Sequence, residues 1–155
     1  MKTSSNNQIS FANGSADLYL DKENGEFALD LRRQEITIYL NYTQYQALVV
    51  LVQQSLEDDQ FAEYLNWQKD PLQADETELF EVCGPEHTVC LACTPTCERV
   101  KLTFDLGIAV DLGFADFQGL AQLIKEAQAD LEWRRELLRW NISEAGPDVA
   151  AGGQD

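Results

Sequence analysis

The sequence predicts an α+β fold: an internally duplicated strand-strand-strand-helix unit, with antiparallel sheets packed by two helices and a Cys/His loop in the second repeat. Three observations predict it. Short runs alternate apolar and polar residues, two later stretches switch to helical apolar spacing, and the second half repeats the first at a shift of 72 residues.

Residues 1–8 are polar and are expected to form a flexible N-terminus. Repeat 1 spans about 17–57. Leu18 and Leu20, then Phe27, Leu29 and Leu31, then Ile36, Ile38 and Leu40 alternate with polar residues, giving three short strands. Asn24-Gly25 suits the positive φ of a tight turn between the first two, and Arg32 to Gln34 turn between the second pair. From Thr43 the apolar residues Tyr45, Leu48, Val49, Leu51, Val52 and Leu56 recur at helical spacing, and Thr43 with Gln46 can form a capping box at the start.

An acidic connection, 58–76, leads to repeat 2 at about 77–140. Leu79 to Val82 reads as a strand, Val100, Leu102 and Phe104 as another, and Ile108, Val110 and Leu112 as a third. A helix is expected from Asp116 to about Trp140, with Leu120, Leu123, Ile124, Ala127, Leu131 and Leu138 inward and Trp133 and Trp140 near the edge of the stripe. The repetition aligns Ile36 with Ile108, Ile38 with Val110, and Leu40, Leu48 and Leu51 with Leu112, Leu120 and Leu123. Each helix is expected to cover the strands before it. Neither copy alone buries enough area to stand, so 9–140 is read as a single domain, followed by a disordered tail, 141–155.

The chain has 155 residues, 45% of them hydrophobic, and its 27 Asp and Glu outweigh 11 Lys and Arg to give a net charge of −16. That balance disfavours direct binding to nucleic acid or to an anionic membrane, and with no long apolar run the expected location is the cytoplasm. The excess is local: residues 57–86 carry 10 acidic residues and one cation, Lys69. Such a block reads as a solvated face or as a surface for a basic partner.

The segment Cys83 to Cys97 holds all four cysteines and the only histidine, and in the duplicated plan it replaces the short turn at Asp21 to Gly25. Cys83, His87, Cys90, Cys93 and Cys97 are candidate metal ligands, because a transition metal needs three or four thiolates or imidazoles converging on one point. Cys90-x-x-Cys93 rank first as a knuckle, Cys83 and His87 next, and Cys97 is the spare; alternatively all four cysteines bind and His87 stands behind them. A structural zinc ion is the leading cofactor, ahead of an iron–sulfur cluster and of two disulfides.

Phosphate-binding loops, H-E-x-x-H, G-x-S-x-G and a Ser/His/Asp set are not found, so no catalytic residue is assigned. The expected function is that of a small acidic zinc-binding protein acting through protein–protein contact as an adaptor, accessory subunit or inhibitor. Redox or hydrolytic chemistry at the Cys/His loop, and nucleic-acid mimicry toward a basic partner, are the alternatives. Oligomeric state is not legible.

Overall fold

The computed structural model describes residues 1–59, 61–62, 80–84, 88–94, 99–105 and 107–152, the side chains of residues 80, 94 and 142–152 excepted. Almost all of the acidic connection 58–76 therefore lies outside the described residues, as do His87 and Cys97. The described residues form two antiparallel sheets and three helices, an α+β architecture. Their contacts fall into two compact units, Met1–Tyr45 with Gln122–Asp155, and Gln46–Ala121.

The first unit contains β1 (Lys2–Ser4), β2 (Gln8–Ala12), β3 (Ala16–Asp21), β4 (Phe27–Leu31) and β5 (Ile36–Leu40), each paired with the next. β3 to β5 lie where the alternation places them. Leu18, Leu29 and Ile38 share one register row on the buried face, and Leu20, Phe27 and Leu40 share the next. Gly25 has a φ of 67° in the β3–β4 turn, and the Trp140 indole lies so close over it that a Cβ would have no room.

Two strands of this sheet, β1 and β2, are not in the sequence reading. Residues 1–8, read as flexible, include β1, which pairs Lys2 with Phe11 and Ser4 with Ile9. The Met1 ammonium donates to the Ala12 carbonyl at 2.7 Å. Polarity hid this strand because an edge strand with every residue exposed shows no alternation.

Helix α1 (Tyr42–Glu57) begins two residues earlier than the expected capping box. Asn41 Oδ1 accepts from Gln44 N at 2.8 Å while Gln44 Oε1 accepts from Asn41 N at 2.9 Å, so the reciprocal cap is Asn41 with Gln44 rather than Thr43 with Gln46. The expected helix from Asp116 is two helices, α2 (Phe114–Ala129) and α3 (Leu131–Gly152). Asp130 separates them as an N-cap, its carboxylate accepting from Trp133 N at 3.0 Å. The restart resets the helical phase. Leu120, Leu123, Ile124 and Ala127 are buried as expected, but Leu131 and Leu138 are exposed, and Trp133, placed at the edge of the stripe by the continuous helix, is fully buried.

Both helices are divided between the units: α1 contributes 42–45 to the first and 46–57 to the second, and α2 contributes 114–121 to the second and 122–129 to the first. α3 continues to Gly152, where the composition suggests a disordered tail. It crosses Gly146 and Pro147, which weaken a helix by about 1 and about 3 kcal/mol, so this end is its least stable part.

Trp133 closes the first core. Its ring meets Phe11, Tyr45 and Phe27 edge-on at 5.5, 5.7 and 5.8 Å, and Phe27 stacks on Tyr45 at 4.3 Å. Its Nε1–H donates to the Tyr45 hydroxyl at 3.1 Å, which donates in turn to Gln128 Oε1 at 2.6 Å. Burial raises the Tyr45 pKa, with the Trp133 hydrogen bond opposing it. The one polar chain in this aromatic cluster is thus satisfied.

Beside it, Glu132 draws β1 and the β3–β4 turn onto the start of α3. Lys22 reaches its carboxylate at 2.7 Å and Lys2 at 3.0 Å, Ser4 Oγ donates at 2.8 Å, and Lys2 also pairs with Asp130 at 2.9 Å. The hydrogen bonds from Lys22 and then Lys2 hold the Glu132 carboxyl at about 2, below its ordinary 4.5. A depressed folded pKa means that this contribution is complete above pH 4.5 and is lost as pH falls toward 2. Because the carboxylate is one-third exposed, the expected effect of Glu132→Gln at pH 7 is a loss of no more than about 1 kcal/mol. Urea midpoints between pH 2 and 6 should converge for the two proteins at the acid end; parallel curves would refute the assignment.

The second unit contains β6 (Phe80–Cys83), β7 (Val89–Thr94), β8 (Arg99–Phe104) and β9 (Ile108–Gly113), again a simple meander. Val89, Leu91 and Cys93 of β7 are buried with Val100, Leu102 and Phe104 of β8 and with Val110 and Leu112 of β9. Phe61, whose amide donates to Asp58 Oδ1 at 3.1 Å, packs edge-on against Phe117 at 5.4 Å.

Candidate functional site

Within the Cys/His segment, residues 89–94 form β7, whose Val89, Leu91 and Cys93 are buried. Cys83 and Cys90 are cross-strand partners in β6 and β7, half-buried, and joined by a disulfide. Gly84 N donates to the Val89 carbonyl at 2.8 Å just beyond the bridge. Cys93 stands three residues after Cys90, so the pleat turns it to the opposite face. There it is fully buried with a free thiol, which burial pushes up to about 12. Cys90 and Cys93, the pair ranked first as a knuckle, therefore do not converge. A buried thiol held protonated is also a poor ligand or nucleophile. His87 and Cys97 fall outside the described residues, and among the described residues no three Cys, His, Asp or Glu side chains gather at one point.

A different surface, not singled out by the sequence, is concave. The outer face of β2 to β5 forms a shallow concavity of about 310 Å³. Its floor is one register row, Tyr19 on β3, Ala28 on β4 and Tyr39 on β5. Neighbouring strands lie about 4.8 Å apart, so the two tyrosine backbones are separated by about 10 Å, with a methyl group between them. On either side of Ala28 stand Glu26 and Asp30, and Asp21 follows Tyr19 two residues along β3; Gln8 and Thr37 complete the lining. Among the described residues, three carboxylates and no cation line it.

The partners of these groups differ. Asp21 accepts from Glu23 N, Asn24 N and Asn24 Nδ2, and the Asn24 side chain leads in holding its carboxyl below the ordinary value. Asp17, next to the concavity on β3, is mostly buried and takes Arg32 through two hydrogen bonds, at 2.6 and 3.3 Å. The Tyr19 hydroxyl donates to Asp17 at 3.3 Å, and burial together with the Asp17 charge raises the Tyr19 pKa. Asp30 lies directly opposite Asp17 in the ladder. Arg32 gives its hydrogen bonds to Asp17 and reaches Asp30 only through its field. Like charges placed opposite each other weaken a sheet, so stability alone does not favour this arrangement. Tyr39, 59% exposed, leaves an aromatic face open to solvent.

Comparison with protein-family models, with curated proteins and with solved structures finds no match. The chemistry of the site therefore rests on its own residues: an aromatic pair, a gap between its members and three lining carboxylates, with Arg32 engaged on Asp17 beside them, a combination suited to holding a cation.

The exposed row was legible in part. Tyr19, Ala28 and Tyr39 are the outward members of alternating strands whose inward members identify the core. Alternation shows which residues face out; only the register shows that these three are neighbours.

Proposed function

We propose that this protein is a small acidic interaction module, an adaptor, accessory subunit or inhibitor, that docks a basic segment of a protein partner on the outer face of its five-stranded sheet. The observation that supports this reading is the concavity between Tyr19 and Tyr39, lined by Asp21, Glu26 and Asp30 without a cation. A chain with a net charge of −16 adds long-range attraction for such a partner and repels nucleic acid.

The test is titration of the protein with a Lys/Arg-rich peptide at low and moderate salt. Binding should weaken as salt rises and should weaken several-fold further in Asp30→Asn, whereas the same substitution should raise the stability of the free protein by a few tenths of a kcal/mol, by relieving the Asp17–Asp30 opposition. Salt-independent binding, or a variant that binds as well as the parent, would refute the reading.

Within this proposal the duplication explains why two meanders share one plan. Its support is register: Leu31 with Ile36, Leu29 with Ile38 and Phe27 with Leu40 in the first sheet correspond to Phe104 with Ile108, Leu102 with Val110 and Val100 with Leu112 in the second. A structural zinc ion is kept as a second proposal for the Cys/His segment. Cys83 and Cys90 lie side by side, so that on reduction both thiolates could serve one ion together with His87 or Cys97. Cys93 is then not a ligand.

A further inference from the structure

We infer that the group recognised on this face is a single arginine side chain, whose guanidinium lies over Ala28 between the rings of Tyr19 and Tyr39. This rests on the basic-partner reading above and specifies what that partner must present.

Spacing, charge and an internal comparison carry it. Tyr19, Ala28 and Tyr39 occupy one row, so the central strand offers a methyl where its neighbours offer rings. The resulting gap, about two strand spacings between backbones, accepts a flat group stacked against an aromatic face. Glu26, just before β4, and Asp30 on it flank Ala28, placing carboxylates at both edges of that group. A guanidinium is planar, stacks on aromatic rings and donates in its plane to carboxylates on either side, whereas an ammonium is a compact, strongly hydrated charge that stacks poorly.

The second sheet supplies the comparison. The corresponding row there is Ala92, Lys101 and Asp111, so the position equivalent to Ala28 carries a lysine of the chain's own, with a carboxylate residue opposite it. One sheet fills the middle of its outer face with an internal cation. The other has Ala28 at that place, between aromatic rings and among acids, while its own Arg32 is engaged on Asp17 beside it.

The experiment follows backbone and tyrosine ring resonances of the full chain during titration with three short peptides: one with a single arginine in a glycine and serine background, the same peptide with lysine, and a polybasic peptide. The expected result is that the arginine peptide shifts Tyr19, Ala28 and Tyr39 and binds several-fold more tightly than the lysine peptide. Ala28→Leu, which fills the gap, and Tyr39→Ala, which removes one wall, should each weaken it about tenfold. Both positions are on the outer face, and unchanged melting curves confirm that the variants fold. Equal binding of lysine and arginine, or binding insensitive to Ala28→Leu, overturns the inference. If the polybasic peptide still binds and Asp30→Asn still weakens it, the broader proposal stands without the inference; if no basic peptide binds, both fall.

Discussion

Trp133→Ala is expected to lower the unfolding free energy by about 3 to 5 kcal/mol, the largest effect of any single substitution considered for this chain. The indole touches Phe11, Phe27 and Tyr45 and is fully buried, so truncation leaves a cavity walled by three rings from β2, β4 and α1. It also removes the Nε1–H that Tyr45 accepts. Tyr45→Phe separates the two contributions. It keeps the ring stack on Phe27 but leaves the Trp133 donor and Gln128 unpaired, and should cost about 1 to 3 kcal/mol. Urea unfolding followed by far-UV circular dichroism measures both. A Trp133→Ala protein within about 1 kcal/mol of the parent would show that this packing does not hold the first unit together.

Opening the Cys83–Cys90 bridge is expected to lower stability by about 2 to 2.5 kcal/mol. The estimate follows from the short loop it closes, with the two residues seven apart in sequence. The double variant Cys83→Ser with Cys90→Ser should show the same loss without reductant, and added reductant should then have no further effect from this bridge. A peptide map without reduction should recover residues 83 and 90 in one linked fragment. The zinc proposal makes the opposite forecast: one zinc per chain by elemental analysis, both thiols reactive in denaturant, and a melting temperature that falls with a chelator rather than with a reductant. A disulfide persists in an oxidising compartment and is reduced in a cytosol, so the same measurement bears on where the chain works.

β3, β4, β5, β8 and β9 were legible because alternation is a direct imprint of the pleat; β2 carries it in only two buried residues, Ile9 and Phe11, too short a run to stand out. β7 carries it too, in Val89, Leu91 and Cys93, but its outward residues Cys90 and Ala92 are not polar, so the run looks uniformly apolar and cysteine-rich. Dense cysteine therefore hides the strand. The break at Asp130 escaped for a related reason: helical spacing fits on either side of a cap, and a single acidic residue does not announce that the phase restarts. The candidate site was the least legible part, because Tyr19, Ala28 and Tyr39 are ordinary outward residues until the register sets them side by side.

The placement of Trp133 has a consequence for the order of assembly. Its partners Phe11, Phe27 and Tyr45 leave the ribosome long before it does, Tyr45 being 88 residues earlier. The first five strands can pair as they emerge, but their apolar face stays open until nearly the whole chain has been made. Contacts so distant in sequence slow folding and lengthen the interval in which a nascent sheet can associate with other chains. Truncation before α3 should therefore yield a sticky fragment rather than a smaller stable protein, although every strand of both sheets is present.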